Sequence, residues 1–333
     1  MPAISIRSKN VAVLGSGAIG QLYGACFILA GARVCFIARS DANHLKNNGL
    51  HIQLQPTKDL LPARIASSIH IPPHRFQVAP TPAHAAVHAP FDLILLAIKT
   101  TALPQTPEML HALCSPTADV ICMCNGLGAE DMVATAHPQD RIYGALCQVC
   151  VNRTHNGPLV HIAHGNLLLG HYLDQPAARS YIGSLFSAAG ISNSLPPSLL
   201  CARWIKLIWN IPFNGLCTVT RPNGSTTDQI LGSPSDRLRI LELMNEVIHI
   251  GNADLAHAGQ AARIDPDHWI AEMIQRTQRM GPYQPSTLID YRAGRPMELD
   301  AIFFEAQRRA RKLGVPCPHL DRLCNQLCTL RVA

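Results

Sequence analysis

Lys206, Asn210 and Asn214 stand at positions i, i+4 and i+8 of one apolar run, a spacing that puts three side chains on one face of an α-helix. Their neighbours are Trp204, Ile205, Leu207, Ile208, Trp209, Ile211 and Phe213. An ammonium and two carboxamides in such company are expected to be heavily buried. Burial disfavours the charged form of a lysine and readies it as a proton donor. Pro212 falls between the two asparagines and should kink the helix, so Asn214 need not stay in line. The competing reading is an amphipathic helix with a polar stripe in water. Ser286, Asp290 and Glu298 form a second polar cluster, although Glu298, beside Asp300 at a helix start, would also suit the helix dipole.

A separate chemistry is written near the N-terminus. Gly15-Ser16-Gly17-Ala18-Ile19-Gly20 fits G-x-G-x-x-G. The first glycine allows a tight turn, the second lets backbone N–H groups approach a pyrophosphate, and the third permits close helix–strand packing. The N-terminus of the following helix offers its partial positive charge to phosphate. The next strand ends Phe36-Ile37-Ala38-Arg39-Ser40-Asp41. An arginine there accommodates the 2′-phosphate of NADP(H), whereas an acidic residue would take the ribose hydroxyls of NAD. Ser40 would add a phosphate hydrogen bond, and Asp41 would lie past the ribose. Lys99 follows the apolar run 91–98, at the carboxyl end of a strand where open parallel sheets bind ligands; it reads equally as a surface residue. Asn125-Gly126-Leu127-Gly128 follows the next strand, either as a ribose or nicotinamide contact or as a plain strand-to-helix turn.

These residues require particular elements. Strands over 10–14 and 33–38 flank a helix over 21–30, the opening of a parallel sheet. Further buried strands are expected at 91–98, 119–124 and 167–170, with a helix over 177–189. Between Pro56 and Pro90 the chain is rich in Pro, His and Ala, and irregular connections with short edge strands are expected. His70, His74, His84 and His88 read as surface residues there. After Leu195-Pro196-Pro197 the pattern is almost wholly helical, over 199–213, 236–258, 267–279 and 298–313, with Gly314-Val315-Pro316 as a stop. The fold class is therefore an α/β Rossmann-like dinucleotide-binding domain, residues 1–195, followed by an all-α substrate and catalytic domain, residues 196–333.

Composition narrows the functional classes. At 333 residues, 47% hydrophobic and 15% charged, the chain has material for about two cores and is unlike a disordered protein. No apolar run approaches the roughly 18 residues that cross a bilayer. With no signal-peptide pattern, a soluble, cytoplasmic protein is expected. A net charge of +6 from 28 basic and 22 acidic residues is spread out, and Arg308–Lys312 reads as a solvated helix face rather than a nucleic-acid track. The twelve cysteines are expected as reduced, mostly buried thiols. Cys147-Gln148-Val149-Cys150 has no second pair to complete a metal site, and no metal is expected.

The chain resembles the ketopantoate reductase (2-dehydropantoate 2-reductase) family. The resemblance rests on the Gly15–Gly20 loop, Arg39, Lys99, the Asn125–Gly128 turn, the Lys206-x3-Asn210-x3-Asn214 helix, Pro222-Asn223-Gly224, and Ser286 through Glu298-Leu299-Asp300. It implies NADPH/NADP+ as cofactor and hydride transfer to the C2 carbonyl of a 2-oxo acid bound in an interdomain cleft. Lys206 would be the general acid, and Asn210, Asn214, Asn223 and Ser286 would bind the keto acid. Glu298 would act at the cofactor–substrate junction, Asn125 would contact NADPH, and Lys99 would lie near both ligands. Cys147–Cys150 resembles a cofactor-contacting turn, with the Cys150 backbone toward the nicotinamide. Thr287 and Gly215 depart from the family pattern, which often has Met and Pro there. The resemblance implies a small-molecule partner, with neither nucleic acid nor membrane, and allows a homodimer. Two rivals stay open: a reductase of another 2-oxo or 3-hydroxy acid, and a module that senses NADP(H) without turnover.

Overall fold

The computed structural model describes residues 5–153 and 157–330. The described residues form an N-terminal Rossmann-like α/β unit and a C-terminal all-α unit. The first contains the chain up to Cys124 together with Ala129–Leu199; the second contains Asn125–Gly128 and everything from Leu200 onward. The division thus falls four residues beyond the start of the expected helical domain at 196. It also gives the Asn125–Gly128 loop to the helical unit. Packing explains that transfer: Leu127 N–H donates to the Ala301 carbonyl at 3.0 Å, and a Cβ on Gly126 would meet the same oxygen at 2.2 Å.

The α/β unit is one mixed sheet with strands β1 Asn10–Leu14, β2 Arg33–Ile37, β3 Leu50–Leu54, β4 Ser68–Ile71, β5 Gln77–Ala79, β6 Leu93–Leu96, β7 Asp119–Cys122, β8 Ile142–Arg153, β9 Leu159–His171 and β10 Asn193–Ser194. Their order is β4-β3-β9-β8-β7-β6-β1-β2-β5, with β10 beside β9. From β5 to β8 every pairing is parallel. These strands are continuous apolar runs such as Val11–Leu14 and Leu93–Leu96, fully buried because both faces of a parallel sheet are covered. Strand order reverses between β1 and β6, the switch point at whose carboxyl end such sheets bind ligands. The 56–90 segment holds only short pieces, as expected: β4, β5 and single turns of helix. His70, His74 and His84 are exposed and His88 half-buried.

The sequence reading caught only the 167–170 end of one large element. The β8–β9 hairpin is antiparallel across eleven register pairs, with irregularities at Gln148/Val149 and Cys150/Val151. Cys147–Cys150, expected as a turn, therefore lies within a bulged strand. The apolar run Ile142–Val151 carried that signal.

In the helical unit a helix over Leu199–Trp209 passes through a π turn, Asn210–Asn214, into Gly215–Val219. Pro212 lies inside that wide turn, which absorbs the missing backbone donor without ending the helix. A second π turn, Asp300–Phe304, opens the helix that runs on to Lys312. Trp204, Phe213, Leu216, Met244 and Phe303 are fully buried in the common core. Pro234–His257 is the longest helix, capped by Ser233 Oγ accepting from Asp236 N–H. No helix among the described residues is long and apolar enough to cross a membrane.

Candidate active site

The glycine loop follows β1, and each glycine has a distinct steric reason. Gly15 has φ +101°, and a Cβ there would lie 2.6 Å from the Ala97 carbonyl beyond β6. A Cβ at Gly20 would meet the Gly15 carbonyl at 2.0 Å, so the third glycine seats the helix on the turn. Gly17 differs. Nothing lies within 4 Å of its would-be Cβ, and it precedes the Ala18–Leu29 helix with no side-chain cap on that terminus. Open space before uncapped N–H groups is what a dinucleotide pyrophosphate needs. Ala18 and Ile19 open this helix half-buried, while Ser16 is buried and its carbonyl accepts from Gln21 Nε2 at 2.7 Å. The loop therefore fits an NAD(P)H cofactor.

Arg39 is exposed just beyond β2, and among the described residues no carboxylate pairs with it. The structure uses Ser40 and Asp41 differently from the sequence reading. Ser40 Oγ donates to Asp41 Oδ1 at 3.3 Å. The Asp41 carboxylate is gripped by both terminal guanidinium nitrogens of Arg153, at the end of β8. Arg153 also donates to the Ser16 carbonyl at 3.3 Å. Lys99 is exposed at the carboxyl end of β6, heading the turn Thr100–Gln105. Cys150 is half-buried on β8.

The second cluster lies wholly in the helical unit. Lys206 is half-buried and its Nζ donates to Asn125 Oδ1 at 3.0 Å. Asn125 Nδ2 in turn donates to Glu298 Oε2 at 3.4 Å. One carboxamide thus links an ammonium to a buried carboxylate whose positions are 173 residues apart from Asn125 to Glu298. Each comes from a π turn or its flank: Lys206 precedes Asn210–Asn214, Glu298 precedes Asp300–Phe304, and the Asn125 loop is pinned on Ala301. Wide turns of this kind are frequent at functional sites.

Trp204 does not enclose Lys206. Trp204 is two residues away, hence on the far side of the helix, and its Nε1 donates to Asp254 Oδ2 at 2.9 Å. Trp209 Nε1 donates to Thr277 Oγ1 at 2.8 Å, and its ring stacks on Phe213. Trp204 is fully buried in the core, and Trp209 packs half-buried against it.

Asn210 is buried, and among the described residues none takes its carboxamide. Asn214, also buried, accepts at Oδ1 from Thr287 N–H at 3.0 Å and Ser286 Oγ at 3.3 Å. It therefore ties Ser286 to the Lys206 helix. Asn223 is exposed on the turn Arg221–Gly224, which is held by Arg292 Nε donating to the Asn223 carbonyl at 2.8 Å and Tyr291 Oη donating to the Pro222 carbonyl at 3.2 Å. Asp290, four residues along the same helix as Ser286, is buried and accepts from Arg295 Nε at 3.0 Å. No group of three or more His, Cys, Asp or Glu among the described residues is placed to hold a metal.

Two family models, ketopantoate reductase PanE/ApbA and its C-terminal part, match residues 11–174 and 198–330. The chain belongs to the ketopantoate reductase family. A 2-dehydropantoate 2-reductase of a Nostoc species is 32% identical over 97% of this chain and 95% of the relative. The crystal structure of 2-dehydropantoate 2-reductase from Geobacter metallireducens superposes with a TM-score of 0.85 at 30% identity, covering 96% of this chain and 99% of that one. A D-mandelate dehydrogenase solved with NADH and anilino(oxo)acetate shares the fold at a TM-score of 0.82 and 20% identity, covering 96% of this chain and 97% of that one. Family membership and the glycine loop together make this chain an NAD(P)H-linked oxidoreductase.

Proposed function

We propose that the protein reduces 2-dehydropantoate (ketopantoate) to (R)-pantoate with NADPH, a cytoplasmic step toward pantothenate and coenzyme A. The Lys206–Asn125–Glu298 array carries this reading, because it supplies a positioned proton donor in a chain of this family. Bound NADPH would supply a hydride for the C2 carbonyl. The chain's own residues do the rest.

As charge develops on the C2 oxygen, the Lys206 ammonium stabilises it and then delivers the proton. Asn125 holds the ammonium in place through its carbonyl oxygen. Glu298 accepts from the amide end of Asn125, which fixes the carboxamide with its oxygen toward the lysine. Without that acceptor the amide is free to turn over and present N–H groups to an ammonium. Glu298 is thus a positioning carboxylate as well as a candidate ligand contact. Asn214 commits its oxygen to the backbone at Thr287, which leaves its Nδ2 to donate to a substrate oxygen. Asn210 offers a further carboxamide, and Ser286 and Asn223 offer polar groups from two other segments. On the cofactor side, Gly15 to Gly20 present backbone N–H groups to the pyrophosphate, and Arg39 presents positive charge to the 2′-phosphate.

The test is steady-state oxidation of NADPH and of NADH by purified protein with ketopantoate and a panel of other 2-oxo acids. Ketopantoate with NADPH is expected to give the highest kcat/KM. Another acid turned over at least tenfold better would assign the same framework to a different substrate. Tight cofactor binding without turnover of any acid would indicate a sensing module.

A further inference from the structure

The strand end after β2 carries contradictory signals. Arg39 favours a 2′-phosphate, but Asp41 stands two residues later with a side chain only 14% exposed. A carboxylate at this end of the second strand selects for ribose hydroxyls and against phosphate. The structure resolves the conflict from 112 residues away. Arg153, at the last position of β8, places both terminal guanidinium nitrogens on the two Asp41 oxygens, with Nη2 at 2.9 Å from Oδ1. A third bond, to the Ser16 carbonyl at 3.3 Å, anchors the same guanidinium on the glycine loop. Ser40 Oγ adds a donor to Asp41 Oδ1. A planar fork on a carboxylate is the strongest geometry an arginine can adopt, and the guanidinium keeps its charge at neutral pH.

We propose that Arg153 is a cofactor-specificity residue that acts through Asp41: by neutralising this carboxylate beside the glycine loop, it makes the strand end acceptable to a 2′-phosphate. Arg39 then faces the phosphate without an opposing anion. The inference rests on the NADPH reading above and adds the residue that permits it. It also explains why an acidic side chain two residues beyond Arg39 is compatible with phosphate recognition.

Dissociation constants for NADPH and NADH are measured by fluorescence titration on the wild-type chain and on Arg153→Ala, Asp41→Asn and the double variant, each checked for an unchanged thermal midpoint. Exposing the carboxylate is expected to weaken NADPH binding about ten- to hundredfold, the worth of a charge-assisted contact, and to move NADH binding far less. Asp41→Asn in the Arg153→Ala background is expected to restore most of the lost NADPH affinity, which a merely structural arginine would not allow. Arg153→Ala with an unchanged NADPH/NADH ratio, or a double variant as weak as Arg153→Ala, overturns the proposal while leaving the reductase reading intact. A wild-type chain that binds NADH as well as or better than NADPH would instead remove the reading on which it rests.

Discussion

Replacing Lys206 by alanine separates a proton donor from a scaffold residue, because the two roles have different sizes. Structurally, Lys206 is half-buried and makes a 3.0 Å bond to a neutral carboxamide. Losing a hydrogen bond to a charged group costs roughly 1.5–3 kcal/mol, and water reaching a half-buried site offsets part of it. For a chain of this size each kcal/mol moves the thermal midpoint by about 2–4 °C. Catalytically, a general acid contributes about 10²–10⁴-fold, or roughly 3–5.5 kcal/mol of barrier. Lys206→Ala should therefore lower kcat with ketopantoate by at least about a hundredfold, shift the melting temperature by a few degrees, and leave the NADPH dissociation constant near the wild-type value. Lys206→Arg should keep the charge yet recover little rate, since a guanidinium does not give up its proton near neutral pH. The assays are NADPH-oxidation kinetics, fluorescence titration of NADPH and thermal denaturation. A loss of kcat below tenfold, or a cofactor affinity that falls as far as kcat does, would refute the assignment.

Gly17→Ala should fold with nearly wild-type stability, since no atom lies within 4 Å of its new Cβ, but should bind NADPH at least about tenfold more weakly because the methyl group enters the phosphate's approach; the two titrations together check this. Asn214→Ala leaves the buried Thr287 N–H without its acceptor and should destabilise the fold by about 1–3 kcal/mol in denaturant unfolding. Burial pushes the Cys26, Cys217 and Cys324 thiols up to about 12, and a raised thiol holds less thiolate at neutral pH. Exposed Cys328 should thus be alkylated first in the native protein, with the three buried thiols reacting only on unfolding, as read by peptide mass spectrometry.

Much of the architecture was legible because its signals are local. Apolar runs at 10–14 and 33–37 around a glycine turn, and helical patterns after 199, report burial and backbone freedom within a few residues. Lys206, Asn210 and Asn214 were legible as polar residues in apolar company, and Ser286 and Glu298 as members of a second polar cluster. Their partnerships were not. Asn125 joins Lys206 to Glu298, and Asn214 turns its oxygen to the Thr287 backbone, beside two π turns of which Pro212 hinted at one, as a kink, and nothing local hinted at the other. The apolar sequence neighbours, Trp204 among them, also suggested heavy burial of the lysine, whereas two residues of helix carry Trp204 to the opposite side, where Asp254 takes its N–H. Arg153 had no local signal at all. Its meaning depends on a hairpin that carries it to Asp41, and the C-x-x-C spacing at 147–150 drew attention to a turn where a bulged strand runs.

The most direct test follows the reduced cofactor's hydrogen. With NADPH carrying deuterium at the transferable C4 position and ketopantoate as substrate, the product should contain one deuterium at C2 and its new hydroxyl proton should come from solvent. Lys206→Ala should show the same label in whatever product it forms, at a rate at least about a hundredfold lower. Deuterium lost to solvent, label at another carbon, or wild-type speed in the Lys206 variant would contradict hydride reduction assisted by this lysine.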